Sequence, residues 1–102
     1  MDRADQYQQL QDKIARWSNE TFGPGEKRLL GMCNHLVMEA AELRNRPDGL
    51  SELADVLILL LNIARVNGYH VDLLFYAAAK KHQINVNRNW KLMPDETYQH
   101  VE

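Results

Sequence analysis

The chain has 102 residues, 45% of them hydrophobic and 25% charged, with a formal net charge of -2. That length supports one domain around one core, and without a basic excess or a polybasic block nothing points to nucleic acid. Cys33 is the only cysteine, which excludes an intrachain disulfide and a thiolate zinc site within the chain.

The opening MDRADQYQQL is polar and lacks the apolar run of a signal peptide. A cytoplasmic location is expected, with neither nucleic acid nor membrane as a partner. The first helix is expected from about Asp5 to Asn19, where Tyr7, Leu10, Ile14 and Trp17 recur at helical spacing and form a core-facing stripe. Thr21 to Gly25 ends it, because two glycines flanking Pro24 cannot continue a helix. This is no phosphate-binding P-loop, since the Gly-Lys-Ser/Thr ending is missing.

A second helix is expected from about Glu26 to Arg44. Leu29, Leu30, Cys33, Leu36, Val37, Ala40 and Leu43 form its apolar arc, with Cys33 a small core residue. Arg28, His35, Glu39, Glu42 and Arg46 form a separate polar stripe. Pro47 and Gly49 close the helix, and Asp48 or Ser51 can cap the next one.

The third helix is expected from about Leu50 to Asn67, with Glu52, Asp55 and Asn62 on one narrow stripe. The run from Leu53 to Ala64 is otherwise apolar, yet shorter than the ~20 residues that span a bilayer. Such a helix belongs in a bundle core or a subunit interface. Gly68 stops it, and Asp72 can cap a fourth helix that continues toward Asn87. On that helix Lys81, Asn85 and Arg88 share one face. No long period-two alternation marks a strand. The pattern implies an all-α four-helix bundle over residues 1–92, followed by a polar tail over 93–102.

Two acid pairs stand out. Glu39 and Glu42, then Glu52 and Asp55, are each spaced i, i+3, so each pair leaves one face of its helix. A hairpin at Pro47–Gly49 brings the two pairs together. Asp55 lies in so apolar a run that its carboxylate would lose solvation without a partner. Four converging carboxylates repel one another unless a divalent cation lies among them. Hard oxygen donors suit Mg²⁺ or Mn²⁺, and the lack of a Glu-x-x-His pair leaves a ferritin-type di-iron site unsupported. His35, one turn before Glu39, either hydrogen-bonds a ligand or lies half-exposed at the bundle edge. Lys81 and Arg88, with Asn85 between them, either meet phosphate oxygens or complement the helix dipole.

Glu39-x-x-Glu42 followed by Glu52-x-x-Asp55 resembles the metal-binding signature of the all-α nucleoside triphosphate pyrophosphohydrolases, which include MazG-like proteins and dimeric dUTPases. Phe22-Gly23, His35-Leu36, Arg65-x-x-Gly68 and Lys81-x-x-x-Asn85-x-x-Arg88-x-Trp90 bring the likeness closest to a phage and bacterial dATP/dGTP diphosphohydrolase-like branch. The resemblance implies a MazG-like bundle completed by a homodimer or homotetramer. It also implies Mg²⁺-dependent cleavage of a nucleoside triphosphate into monophosphate and pyrophosphate, a house-cleaning activity on the nucleotide pool. By carry-over, Glu39, Glu42, Glu52 and Asp55 hold the metal, with Glu39 and Glu42 catalytic, and Lys81, Asn85 and Arg88 steady the polyphosphate. Trp17, His35 and Asn62 are candidates for substrate contact, although Trp17 also belongs to the core stripe of its helix. Met38 stands where the broader signature has another Glu, and the acid pairs lie closer together. Both departures argue for one Mg²⁺ rather than several. A non-catalytic helical interaction module is the alternative.

Overall fold

The computed structural model describes residues 2–102. Four helices follow in order: α1 (Arg3–Phe22), α2 (Leu29–Asn45), α3 (Leu50–Val66) and α4 (Val71–Val86). A single 3-10 turn, Gly25–Lys27, precedes α2, and two short strands, β1 (Asn89–Leu92) and β2 (Tyr98–Val101), follow α4. The expected all-α bundle is the observed architecture. No helix among the described residues is long and apolar enough to cross a membrane.

Asp2 caps α1 by accepting the amide of Asp5, and Gly23, at φ 99°, ends it in a conformation that favours glycine. The 3-10 turn then packs against α3 through Gly25, where a Cβ would collide with Val66. Neither expected cap of α3 is used: Gly49 takes the N-cap position without a side-chain bond, and Ser51 lies within the helix. Asp72 likewise lies in the first turn of α4, not at its cap, which His70 occupies.

The tightest pairing is the α2/α3 hairpin, and α1 lies along α3. The core is small: Met32, Leu59, Leu61, Ala64 and Val71 are its buried apolar side chains. The stripe expected to anchor α1 is not the buried one. Tyr7, Leu10 and Trp17 are about half exposed, whereas Gln11 and Ser18 are buried. Ile14, the remaining member of that stripe, and Ala15 are half-buried between Gln11 and Ser18, and hydrogen bonds add to this attachment of α1. Gln11 Nε2 donates to Leu61 O at 2.9 Å and Tyr69 O at 3.1 Å, and its Oε1 accepts from Gln8 Nε2 at 2.8 Å. Gln8 Oε1 in turn accepts from Val71 N at 2.9 Å. Two glutamines thus hold the joint from which α4 departs. Beside them Arg65 Nε donates to Asp12 at 3.1 Å, and this guanidinium holds the Asp12 carboxyl below its usual range.

From that joint α4 packs mainly on α1 and has no more than marginal contact with α2 and α3. The segment expected as a polar tail instead folds back: β2 pairs antiparallel with β1, Leu92 opposite Tyr98 and Trp90 opposite His100. Asp95 holds the turn by accepting from Thr97 N and Oγ1. Trp90 Nε1 donates to Asn85 O at 2.9 Å, which ties the hairpin to the end of α4.

One chain leaves much apolar surface uncovered. Its accessible area is 8136 Å², against about 5,900 Å² for a folded monomer of 11.9 kDa. Its radius of gyration is 15.9 Å, against about 13 Å for a compact domain of this length. On α3, Leu50, Leu53, Leu57 and Leu60 recur at the alternating three- and four-residue spacing of a helix–helix seam, all exposed. Cys33, expected in the core, is exposed too.

Candidate metal and nucleotide site

The α2/α3 hairpin brings the two acid pairs face to face, as their spacing requires. Glu39 is the most enclosed, with a side chain 15% exposed. Its Oε1 lies 3.0 Å from His35 Nε2, while its buried Oε2 has no partner. Glu52 is half-buried over the interhelical turn, 3.7 Å from Arg46, and a Cβ on Gly49 would collide with its carboxylate. Glu42 and Asp55 are exposed, so within a single chain Asp55 keeps the solvation that its apolar neighbours suggested it would lose.

Glu42 senses the other three acids. The Glu42 carboxyl is pushed above its ordinary value, first by the charge and closeness of the Glu39 carboxylate, then by slight desolvation, with Asp55 and Glu52 adding to the same effect. Among the described residues, no three His, Cys, Asp or Glu side chains are yet drawn onto one point. The donor set nevertheless fits a hard divalent cation. It is all oxygen, mutually repelling, and includes a buried carboxylate oxygen that nothing among the described residues satisfies.

Beside the acids lies a cavity of about 630 Å³, within the range that holds a small organic ligand. Glu39, Asp55 and His35 line one part of it; Ile14, Trp17, Phe22, Met32, Leu59 and Asn62 line the rest. Trp17 is therefore a wall residue and no core anchor: it is 59% exposed and meets Phe22 edge to face, with ring centroids 5.3 Å apart. Lys27 and Arg28 also line the cavity. Helical periodicity predicts Arg28 on the polar stripe of α2 and no role for Lys27. Arg28 instead precedes α2 and braces the end of α1, donating from Nε to Gly23 O at 2.9 Å and from Nη2 to Ser18 Oγ at 2.8 Å. Its guanidinium also lies over the Phe22 ring, 5.6 Å from the centroid.

Lys81, Asn85 and Arg88 line no part of this cavity. Lys81 and Asn85 lie on α4, the helix that leaves the hairpin, whereas Arg88, expected on the same helical face, falls just beyond its end at Val86, so the chain does not itself bring the three to the acids. The structure thus assembles Glu39, Asp55, His35, Trp17 and Asn62 around one cavity and leaves the cationic trio outside it.

A family model described as dATP/dGTP pyrophosphohydrolase matches residues 10–101. The chain belongs to the dATP/dGTP pyrophosphohydrolase family. Within that family's span lie the acid pairs, the cavity and the C-terminal hairpin. A dATP/dGTP diphosphohydrolase of Salmonella phage PMBT28 is 37% identical over 94 residues, which cover 90% of this chain and 30% of that relative. The chain therefore spans about a third of the length of this curated relative. Among solved structures, a MazG-like pyrophosphohydrolase of cyanophage S-2L, bound to dGDP and three catalytic Mn²⁺ ions per active site, matches with a TM-score of 0.72 and 30% identity. The match covers 92% of this chain and 95% of that one. The MazG-like all-α fold expected from the acid motifs is thereby met.

Proposed function

We propose that the chain hydrolyses purine deoxynucleoside triphosphates to monophosphate and pyrophosphate, using Mg²⁺ or Mn²⁺ held by Glu39, Glu42, Glu52 and Asp55. The observation that carries this reading is one cavity with facing carboxylates at one end and Trp17 and Phe22 along its wall. Family membership and the nucleotide and metal bound by the cyanophage neighbour support it. The bound cation supplies charge neutralisation at the phosphates and an activated water.

The protein groups do the rest. His35 holds Oε1 of Glu39 and leaves Oε2 free for a cation. Glu39 or Glu42 accepts a proton from the attacking water. The aromatic wall receives the base. Lys27 supplies a cation within the same chain, and Lys81, Asn85 and Arg88 steady the polyphosphate from a second copy. The surface excess of roughly 2,200 Å² per chain matches what an obligate interface buries, and it supports a homodimer or homotetramer.

A panel of canonical and modified dNTPs with Mg²⁺ or Mn²⁺, assayed for monophosphate and pyrophosphate, tests the proposal. Release of pyrophosphate from dATP or dGTP is expected. No turnover on any member, together with no metal-dependent thermal shift, would replace it with a non-catalytic helical module.

A further inference from the structure

Asn62 is the polar group of the cavity wall for which metal binding and hydrolysis provide no task. It is only 5% exposed. Its Nδ2 donates to Ser18 Oγ at 3.1 Å, and the same hydroxyl oxygen accepts from Arg28 Nη2 at 2.8 Å. Arg28 is itself fixed by Gly23 O. The orientation of the amide is thus set by a chain of side chains running to the end of α1. That chain leaves the carbonyl on the other side, where Asn62 Oδ1 has no partner. A buried acceptor without a donor is uncommon and costly, and in a cavity wall a ligand can repay it.

Its position along α3 identifies that ligand's part. Asn62 follows Asp55 by seven residues, so both lie on the same face, separated by a rise of about 10.5 Å. That is comparable with the reach of a nucleotide from its 5′ phosphate to the far edge of its base. With the phosphates at the carboxylates and the base along Trp17 and Phe22, the far edge of the base meets Asn62.

We infer that Asn62 Oδ1 reads an N–H on the Watson–Crick edge of a purine: the 6-amino group of adenine, or the ring N–H and 2-amino group of guanine. Ser18 and Arg28 act as positioning residues that present the carbonyl of Asn62, not its NH₂, to the base. This assignment rests on the nucleotide function proposed for the cavity and names its specificity determinant. Oδ1 is unpaired in the free chain, so a base that brings an N–H gains a hydrogen bond that a base lacking one does not, and selectivity follows from that gain.

Calorimetric titration of the Mn²⁺-loaded chain with dAMP, dGMP and purine 2′-deoxyriboside monophosphate, which has no N–H on that edge, tests the assignment. The wild type should bind the better natural monophosphate roughly 10- to 100-fold more tightly than the analogue. In Asn62→Leu and Asn62→Ala that ratio should fall to within roughly threefold, and in Ser18→Ala it should fall part of the way. Equal binding of all three by the wild type overturns the assignment whether or not the variants fold. So does an unchanged ratio in Asn62 variants that keep their helical circular dichroism. Selective binding without pyrophosphate release would sink the hydrolase reading and spare this one. Turnover with a ratio indifferent to Asn62 would do the reverse.

Discussion

The seam on α3 gives the most demanding prediction. Leu57 is 49% exposed in the single chain, and fully burying a leucine stabilises by about 1.5–3 kcal/mol. Covering its exposed half with a second copy is therefore worth about 1 kcal/mol per chain, and a two-fold interface counts it twice. Leu57→Asp forfeits that gain and places an unpaired carboxylate in an apolar seam, at a cost of several kcal/mol more. Together these weaken association by at least roughly 10³-fold. Light scattering behind size exclusion, run over a hundredfold dilution, reads the outcome directly. The wild type should keep a mass that is a multiple of 11.9 kDa, and Leu57→Asp should fall to one chain or lose helicity on dilution. A wild type that runs as a single chain at every concentration, or a Leu57→Asp variant that assembles normally, would refute the seam.

Other expectations follow from the site and the joint. Glu39→Gln and Asp55→Asn should each abolish metal-dependent pyrophosphate release with far-ultraviolet dichroism unchanged; full activity in both removes the metal assignment. Glu42→Gln should raise the melting temperature in EDTA, because it relieves the repulsion that lifts the Glu42 carboxyl, and should shrink the shift that Mg²⁺ produces. A lower melting point in EDTA would contradict this. Asp12, held below its usual range by Arg65, contributes stability that is present above the ordinary carboxylate pKa and lost as pH falls through its depressed value. Urea melts of wild type and Asp12→Asn should therefore converge at acidic pH and separate toward neutrality; parallel curves would argue otherwise. Gln11→Ala removes three hydrogen bonds of a wholly buried side chain and should cost about 3 kcal/mol, a thermal shift of roughly 12–24 °C if the unit melts as one small domain. A shift of a degree or two would mean that the joint is held elsewhere.

Helices and their breaks were legible because they are local. Gly23-Pro24-Gly25 and Pro47–Gly49 interrupt periodic stretches wherever the helices finally pack. The acid pairs were legible because i, i+3 spacing fixes a shared face whatever the tertiary structure. The buried side of α1 was not. Tyr7, Leu10, Ile14 and Trp17 carry the apolar signal, but of these only Ile14 is half-buried, and the most buried positions are polar, Gln11 and Ser18, bonded to partners fifty and forty-four residues away. No periodicity records such partners. Nor could local pattern show that α4 departs from the hairpin and takes Lys81, Asn85 and Arg88 with it. The C-terminal hairpin did leave a faint trace: Pro94-Asp95-Glu96-Thr97 is turn chemistry, with Glu96 at φ 70°, between two four-residue runs too short to announce strands.

The joint held by Gln8 and Gln11 also bears on how the protein answers its surroundings. One of its bonds runs to a charge, Gln8 Nε2 donating to the Asp12 carboxylate at 2.9 Å, and the rest join neutral amides and backbone groups, so a cation bound at the hairpin does not act on them directly. The hairpin carboxylates answer to cations, and the root of α4 answers to acid through Asp12. Loading the site can therefore redistribute charge on the hairpin while α4 keeps its heading, like a fixed outrigger. Amide exchange at Val71 should then stay slow and equal with or without metal, even as the α2/α3 turn changes its protection.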